Sequence, residues 1–383
     1  MSAARKKIMI VAGEMSGDQH AARLLRDLRE RRSDVDVFGI GGDELRAAGV
    51  QTVVDAREMA VMGFGEVVAR YPFFRRVFKR MEALLRLEKP DALLLVDYPG
   101  FNLRLAARAH ALGIPVFYYI CPMVWAWHRG RIPRMAKILD LLMVIFPFEV
   151  DVFKGTGLRT VFVGHPLVES VRRTLATSLP ALPWPAGGPR VALLPGSRPQ
   201  EIARILPVML DTARELRRRA PATVFMIPAA SEEIRKRIEA QLAARPAEEQ
   251  AAIGLVTGRM HDVVRQARAA MVCSGTATLE TALLGCPQIV VYRTTWITYG
   301  IGRLLIQVQW IGMVNLVANR TLCPEFIQHR ARPVAMADAL QALLADTPER
   351  AAQLEGLQEI ARALAGEGPI KSAGQQVAEA LES

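Results

Sequence analysis

The chain opens in the same way twice. Ile8–Ala12 is a short apolar, β-branched run that stops at Gly13, and Ala21, Leu24, Leu25 and Leu28 then recur at helical spacing. Ser16-Gly-Asp-Gln, at the junction, has the pattern of a capping box. Far downstream, Val191–Leu194 is a second such run and Pro195-Gly196 a turn. Ser197-Arg198-Pro199-Gln200 then opens a helix of about 20 residues that runs to Arg219. Strand, glycine turn and helix are how a parallel α/β domain begins. Its repetition predicts two such domains, and 383 residues are enough for two at roughly 150 residues each.

Further strands are expected at Val35–Ile40, Ala92–Val96, Val116–Ile120, Leu141–Ile145 and Thr160–Val163. The second half offers Val224–Ile227, Gly254–Val256, Ala270–Cys273 and Gln288–Tyr292. Between the halves Leu179–Pro189 carries four prolines and two glycines, as a linker does. The expected organisation is a first domain over 1–178 and a second over 190–347. Helices over 348–383 would pack back on the first domain or on a partner chain. Two α/β domains about a hinge would place a ligand cleft between them.

Composition removes several classes. With 51% apolar and 23% charged residues, the chain is not disordered. Cys121, Cys273, Cys286 and Cys323 lie far apart without a CxxC pair, which predicts buried, reduced thiols. Only about six apolar residues precede Glu14, too few for the core of a signal peptide. No uncharged apolar window of about 18 residues exists to span a bilayer. A cytoplasmic protein is expected. Residues 1–190 hold 28 Lys and Arg against 19 Asp and Glu, a net +9 of the total +11. A one-sided basic excess points to a polyanion or an anionic membrane surface.

Four segments carry the chemistry. Ser274-Gly-Thr-Ala-Thr-Leu-Glu280 follows a strand and opens a helix. Ser274, Gly275, Thr276 and Thr278 surround N–H groups suited to a diphosphate, and Glu280 is placed to accept from ribose hydroxyls. Gly196-Ser197-Arg198 offers a second helix start with a guanidinium whose position in the first turn an anionic ligand would explain. In the first half, Gly13-Glu-Met-Ser-Gly-Asp18 is not GxGxxG, and Glu14 and Asp18 would repel phosphate. That loop, with Ser16, suits a sugar better. Asp97, in Asp97-Tyr-Pro-Gly-Phe-Asn102, ends a buried strand where a carboxylate can take a proton from an attacking hydroxyl, or simply cap the next helix. Glu14 and His20 are rival bases, and His128 and His165 further candidates.

A further segment, Val61–Arg80, interleaves Phe64, Phe73, Phe74 and Phe78 with Arg75, Arg76 and Lys79, a mixture suited to a membrane interface or to ordinary helix packing. No nucleic-acid-binding fold accompanies it, so no nucleic-acid partner is expected. A second apolar stretch, Trp296–Val317, suits an acyl-chain channel or plain core.

Taken in order, AGEMSGDQHAA (12–22), DYPGFN (97–102), YYICPMVWAWHRGR (118–131), GHPL (164–167), LPGSRPQEI (194–202), SGTATLE (274–280), NLVANR (315–320) and PEFIQ (324–328) resemble the lipid-A-disaccharide synthases. Cys121 stands where that family commonly has serine. The resemblance implies an α/β GT-B fold, two Rossmann-like domains facing each other across a cleft. It implies transfer of 2,3-diacylglucosamine from its UDP derivative onto 2,3-diacylglucosamine 1-phosphate (lipid X), with a β-1,6 bond formed and UDP released. No cofactor or metal is implied. The setting would be the cytoplasmic face of the inner membrane, with its anionic surface as partner, and a homodimer is possible. Asn102, Asn315, Arg320 and Gln328 are implied as sugar-site residues. The same-fold alternative is a UDP-N-acetylglucosamine 2-epimerase, and a two-domain sugar-binding protein the non-enzymatic one.

Overall fold

In a parallel sheet covered by helices, strand side chains alternate between two buried faces, so the strands read as unbroken apolar runs. The runs identified above behave in this way. The structure, a computed structural model, describes residues 5–59, 70–305, 308–366 and 368–382. They form two units, Met1–Pro166 with Gly366–Ser383, and Leu167–Ala365.

The first unit holds β1 (Lys6–Ala12), β2 (Val35–Gly41), β3 (Gln51–Asp55), β4 (Ala92–Val96), β5 (Val116–Tyr119), β6 (Leu141–Val144) and β7 (Arg159–Phe162). They lie in the order β3-β2-β1-β4-β5-β6-β7, all parallel. Met9 and Val11 of β1 pack with Leu93, Leu95 and Tyr118 on one face. Ile8 and Ile10 pack on the other with Leu24, Leu25 and Leu28 of the first helix, Met15–Arg31. The C-terminal helix Ala373–Ala380 lies against that helix, burying Val377 and bonding Ser372 to Asp27.

The second unit repeats the plan with β8 (Arg190–Leu194), β9 (Val224–Ala229), β10 (Ile253–Thr257), β11 (Ala269–Cys273), β12 (Gln288–Tyr292) and β13 (Glu325–Ile327), in the order β10-β9-β8-β11-β12-β13. In each sheet the strand order reverses beside its first strand, between β1 and β4 and between β8 and β11. Ligands of open α/β sheets bind at the carboxyl ends of strands at this point.

Several boundaries differ from the sequence reading. The chain passes between units at Pro166 rather than near 178, so the helix Pro166–Leu175 belongs to the second unit. The proline-rich stretch is no hinge. The Trp184 indole donates to Gln266 (3.0 Å), and Gln266 donates to the carbonyl of Pro180 (2.8 Å), which fastens the stretch to the second unit. The helices over 348–383 divide, Pro348–Ala365 staying with the second unit and the rest returning to the first. β3 and β13, five and three residues long, carried too little periodicity to be read. All four cysteines are free and buried. No described helix is long and apolar enough to cross a membrane.

Candidate functional site

At the carboxyl edge of the first sheet Ala12 pairs with Val96, so the turns after β1 and β4 lie side by side. Gly13 makes this possible, since a Cβ there would meet the Tyr98 ring at 2.7 Å. Asp97 and Tyr98 are consecutive left-handed residues (φ 47° and 49°), a conformation that costs free energy and must be held from outside. Three bonds hold it. The Asp97 N–H donates to Tyr119 O (3.0 Å), while Asp97 O accepts from the Tyr118 hydroxyl (2.5 Å) and the Asn102 amide (2.7 Å). The half-buried Asp97 carboxyl is raised above the usual carboxylate range by burial first and by the Glu14 charge second. Glu14 itself is exposed at the start of the first helix, with Ser16 exposed two residues on.

His20, on that helix, is lowered to about 4 by burial and by Arg23, and its buried Nδ1 has no hydrogen-bond partner among the described residues. Burial thus holds this imidazole in its neutral form. His165 is likewise lowered to about 4 by burial and then by His20. Asp18 does not face a ligand. Buried, it accepts from the N–H groups of Gly42 (2.7 Å), Glu44 (3.0 Å) and Leu45 (3.3 Å) and caps the short helix Asp43–Ala47.

At the carboxyl edge of the second sheet Leu194 pairs with Val272, and the two anticipated turns are again neighbours. Glu201 reaches back over the first to accept from the N–H groups of Ser197 (3.0 Å) and Arg198 (3.1 Å), so the capping carboxylate is Glu201 rather than a group at 200. Gly196 sits at φ 109°, and a side chain there would strike Glu201. The Arg198 guanidinium, 81% exposed, pairs with Glu201 Oε1 at 3.1 Å. In the second turn Gly275 and the exposed Thr276 precede the helix Ala277–Leu283. Ser274 Oγ donates to Ile311 O (2.8 Å), and the buried Thr278 hydroxyl to Gly275 O (2.8 Å). These two hydroxyls shape the turn, and the Ser274 N–H is itself spent on Val291 O (3.1 Å).

Glu280 faces a pocket of about 630 Å³, bordered by Gly258, Arg259 and Met260 after β10, Ala230 after β9, and Arg173 and Thr174 of the helix Pro166–Leu175. Its Oε2 lies 2.7 Å from His261 Nε2. Neither the pocket nor His261 was visible in the sequence, because both depend on loops far apart in the chain.

Other expected site residues have partners within their own units. Asn315, fully buried, donates to Cys323 O and Glu325 and accepts from the N–H groups of Leu322 and Cys323. Its bonding capacity is used up inside the unit. Gln328 ties Thr294 from both sides, accepting from its N–H (2.7 Å) and donating to its O (3.1 Å). Arg320 pairs with Glu359. Asn102 is buried under the Asp97 turn, where its amide donates to the Asp97 carbonyl.

The aromatic residues expected at a membrane behave similarly. Phe73, Phe74 and Phe78 of the helix Tyr71–Glu88 are half-buried and pack on the core, Phe78 edge-on to Phe101 (5.5 Å). Arg75, Arg76, Lys79 and Arg80 face outward. Phe64 and the rest of 60–69 lie outside the described residues.

A second group also escaped the sequence reading. Glu149, 1% exposed, accepts from the Trp125 indole (2.9 Å) and the Phe146 N–H (3.2 Å), and burial pushes its carboxyl up to about 7.

Residues 8–380 match the family model described as lipid-A-disaccharide synthetase. The lipid-A-disaccharide synthase of Anaeromyxobacter dehalogenans (strain 2CP-C) is 41% identical over 369 residues, 96% of each chain. That of Myxococcus xanthus is 40% identical over 381 residues, 98% of this chain and 97% of the relative. Among solved structures, a UDP-N-acetylglucosamine 2-epimerase from Neisseria meningitidis bound to UDP-GlcNAc superposes with TM-score 0.60 at 13% identity, covering 98% and 99% of the two chains. MurG of Acinetobacter baumannii superposes with TM-score 0.56 at 13% identity, with the same coverage. These neighbours share the two-domain α/β GT-B fold.

Proposed function

The chain belongs to the lipid-A-disaccharide synthase family of hexosyltransferases, and from that premise we propose how its two sheet edges divide the reaction. The second unit takes UDP-2,3-diacylglucosamine. Its diphosphate lies between the two glycine turns, against the N–H groups of Gly275 and Thr276, with Arg198 turning from Glu201 to the phosphates. The ribose hydroxyls donate to Glu280, and the base enters the pocket beside Gly258–Met260. The first unit presents 2,3-diacylglucosamine 1-phosphate with its 6-hydroxyl at Asp97.

Asp97 accepts the proton as the hydroxyl oxygen attacks the anomeric carbon. The bond to the UDP oxygen breaks on the opposite side, giving the inverted β-1,6 linkage. Charge developing on the departing diphosphate is received by fixed N–H dipoles and Arg198. Burial raises the Asp97 carboxyl and so strengthens it as a base, and its position at the end of β4 fits it to this task. We further propose that the outward cations of the helix Tyr71–Glu88 rest on anionic lipid, since both substrates are lipids.

The observation that carries this reading is the convergence of two glycine turns and a ribose-competent carboxylate at the switch point of one sheet. It is tested by a radiolabelled transfer assay with the two acylated glucosamine substrates, with and without chelator. Disaccharide and UDP are expected in equal amounts. Epimerisation of UDP-N-acetylglucosamine without transfer would replace this reading with the epimerase one.

A further inference from the structure

We propose that His261 is a positioning residue for Glu280, holding its carboxylate in the orientation that receives the ribose hydroxyls of the donor nucleotide. The inference rests on the UDP reading of the second unit and adds to it a residue that the sequence motifs do not contain.

The argument is one of hydrogen counting. His261 Nε2 lies 2.7 Å from Glu280 Oε2, and Nδ1 lies 3.1 Å from Thr174 Oγ1. An ionised carboxylate brings no hydrogen, so Nε2 carries the proton between them. At Nδ1 two arrangements are open. A neutral ring accepts the Thr174 hydroxyl hydrogen. A protonated ring donates to Thr174 Oγ1, whose own hydrogen then goes to Ser170 O at 3.2 Å. In both arrangements the Nε2–H points at Glu280, and only the Thr174 hydroxyl turns. The orientation of Glu280 is therefore indifferent to the ring's protonation.

One lone-pair site of Oε2 is taken by His261, and the remaining sites of both oxygens stay available to a diol. Among the described residues, His261 is the one hydrogen-bond partner of that carboxylate. The ring is itself framed. Arg265, on the same helix Met260–Gln266, donates to the carbonyls of Thr174 and Thr177 at 3.0 Å each, which locks this helix to the end of Pro166–Leu175. A surface ion pair needs no such frame. Here both partners are only about one-fifth exposed, 22% and 20%, and both border the pocket.

The test compares UDP with 2′,3′-dideoxy-UDP, by calorimetry on the full chain, for the wild type, His261→Leu, His261→Gln and Glu280→Gln. His261→Leu should weaken UDP about tenfold and leave the dideoxy nucleotide unchanged, the scale of one charge-assisted hydrogen bond. His261→Gln, which keeps an N–H donor, should recover most of that loss. His261→Leu combined with Glu280→Gln should bind UDP no more weakly than Glu280→Gln alone. Equal weakening of both nucleotides by His261→Leu would mean that the ring merely shapes the pocket, and would overturn the proposal. Wild-type UDP affinity in His261→Leu beside weak binding in Glu280→Gln would overturn it while sparing the UDP reading. If Glu280→Gln binds both nucleotides as the wild type does, the ribose assignment itself falls and the proposal with it.

Discussion

The side-chain amide of Asn102 donates to the backbone carbonyl of Asp97 at 2.7 Å. Asn102 thereby helps to hold a left-handed pair that ordinary residues avoid, and the direction of the Asp97 carboxyl depends on that pair. Asn102→Ala should lower kcat about a hundredfold, the scale of a catalytic group displaced by an ångström or so. UDP affinity should be unchanged, because the proposed nucleotide site lies in the other unit. Asp97→Asn should remove turnover altogether with the same binding isotherm. Calorimetry beside single-turnover kinetics checks both, and loss of UDP binding in either variant would point to misfolding.

Glu14 raises the Asp97 carboxyl through its charge, second to burial. Replacing it with Gln removes the negative neighbour, makes ionisation easier and lowers the Asp97 pKa. The acid limb of kcat/KM should move to lower pH in Glu14→Gln. A limb that stays in place would show that the limb reports a group other than Asp97.

Arg198 pairs with Glu201 but is largely exposed, so the ion pair contributes little to the fold. Its removal leaves the Glu201 bonds to the two N–H groups in place. Arg198→Ala should therefore unfold at the wild-type temperature and lose roughly 2–4 kcal/mol of transition-state stabilisation. Wild-type turnover would restrict Arg198 to the turn.

How much of this was legible depends on the reach of each interaction. Asp97, Glu14 and the turns at Gly196 and Gly275 sit where strands end, and apolar runs mark strand ends in the sequence. The pairing of Ala12 with Val96 is one step beyond, since strand order follows from no local pattern. Asn315 and Gln328 were expected at a sugar because they lie in motifs that resemble a family. The structure spends their amides on backbone groups of irregular segments, which require such partners. Glu149 was invisible because an acidic residue after Phe-Pro-Phe reads as an exposed helix start. Its burial is made by Trp125, on a helix that follows a different strand.

Glu149 makes stability depend on pH. Its carboxyl, raised from 4.5 to about 7 by burial, binds a proton more tightly when folded than when unfolded. The stability it contributes is full below the unfolded pKa, declines as pH rises, and is gone once pH passes about 7. His20 and His165, lowered to about 4, act in the opposite sense, losing stability as pH falls below the unfolded 6.5. Comparing Glu149→Gln with the wild type cancels the histidines. The stability of the variant relative to the wild type should rise by on the order of 3 kcal/mol between pH 4 and pH 8. Denaturant titrations across that range check it, and a constant difference would show that Glu149 ionises normally.

The helix Tyr71–Glu88 turns Val77, Met81 and Leu85 into the core and leaves Arg75, Arg76, Lys79 and Arg80 on its outer side. With the phenylalanines half-buried on the core, attraction to a membrane through this helix is chiefly electrostatic. Each such cation near an anionic surface contributes about 1 kcal/mol and is screened within a Debye length. Co-sedimentation with vesicles containing acidic phospholipid should therefore weaken steeply with added salt, and neutral vesicles should bind far less. Reversing Arg75, Arg76 and Lys79 to Glu should abolish sedimentation, while transfer between detergent-dispersed substrates continues because none of the three is among the groups that shift the Asp97 carboxyl. Salt-insensitive binding that survives the reversal would move the membrane contact off this helix and onto apolar surface elsewhere.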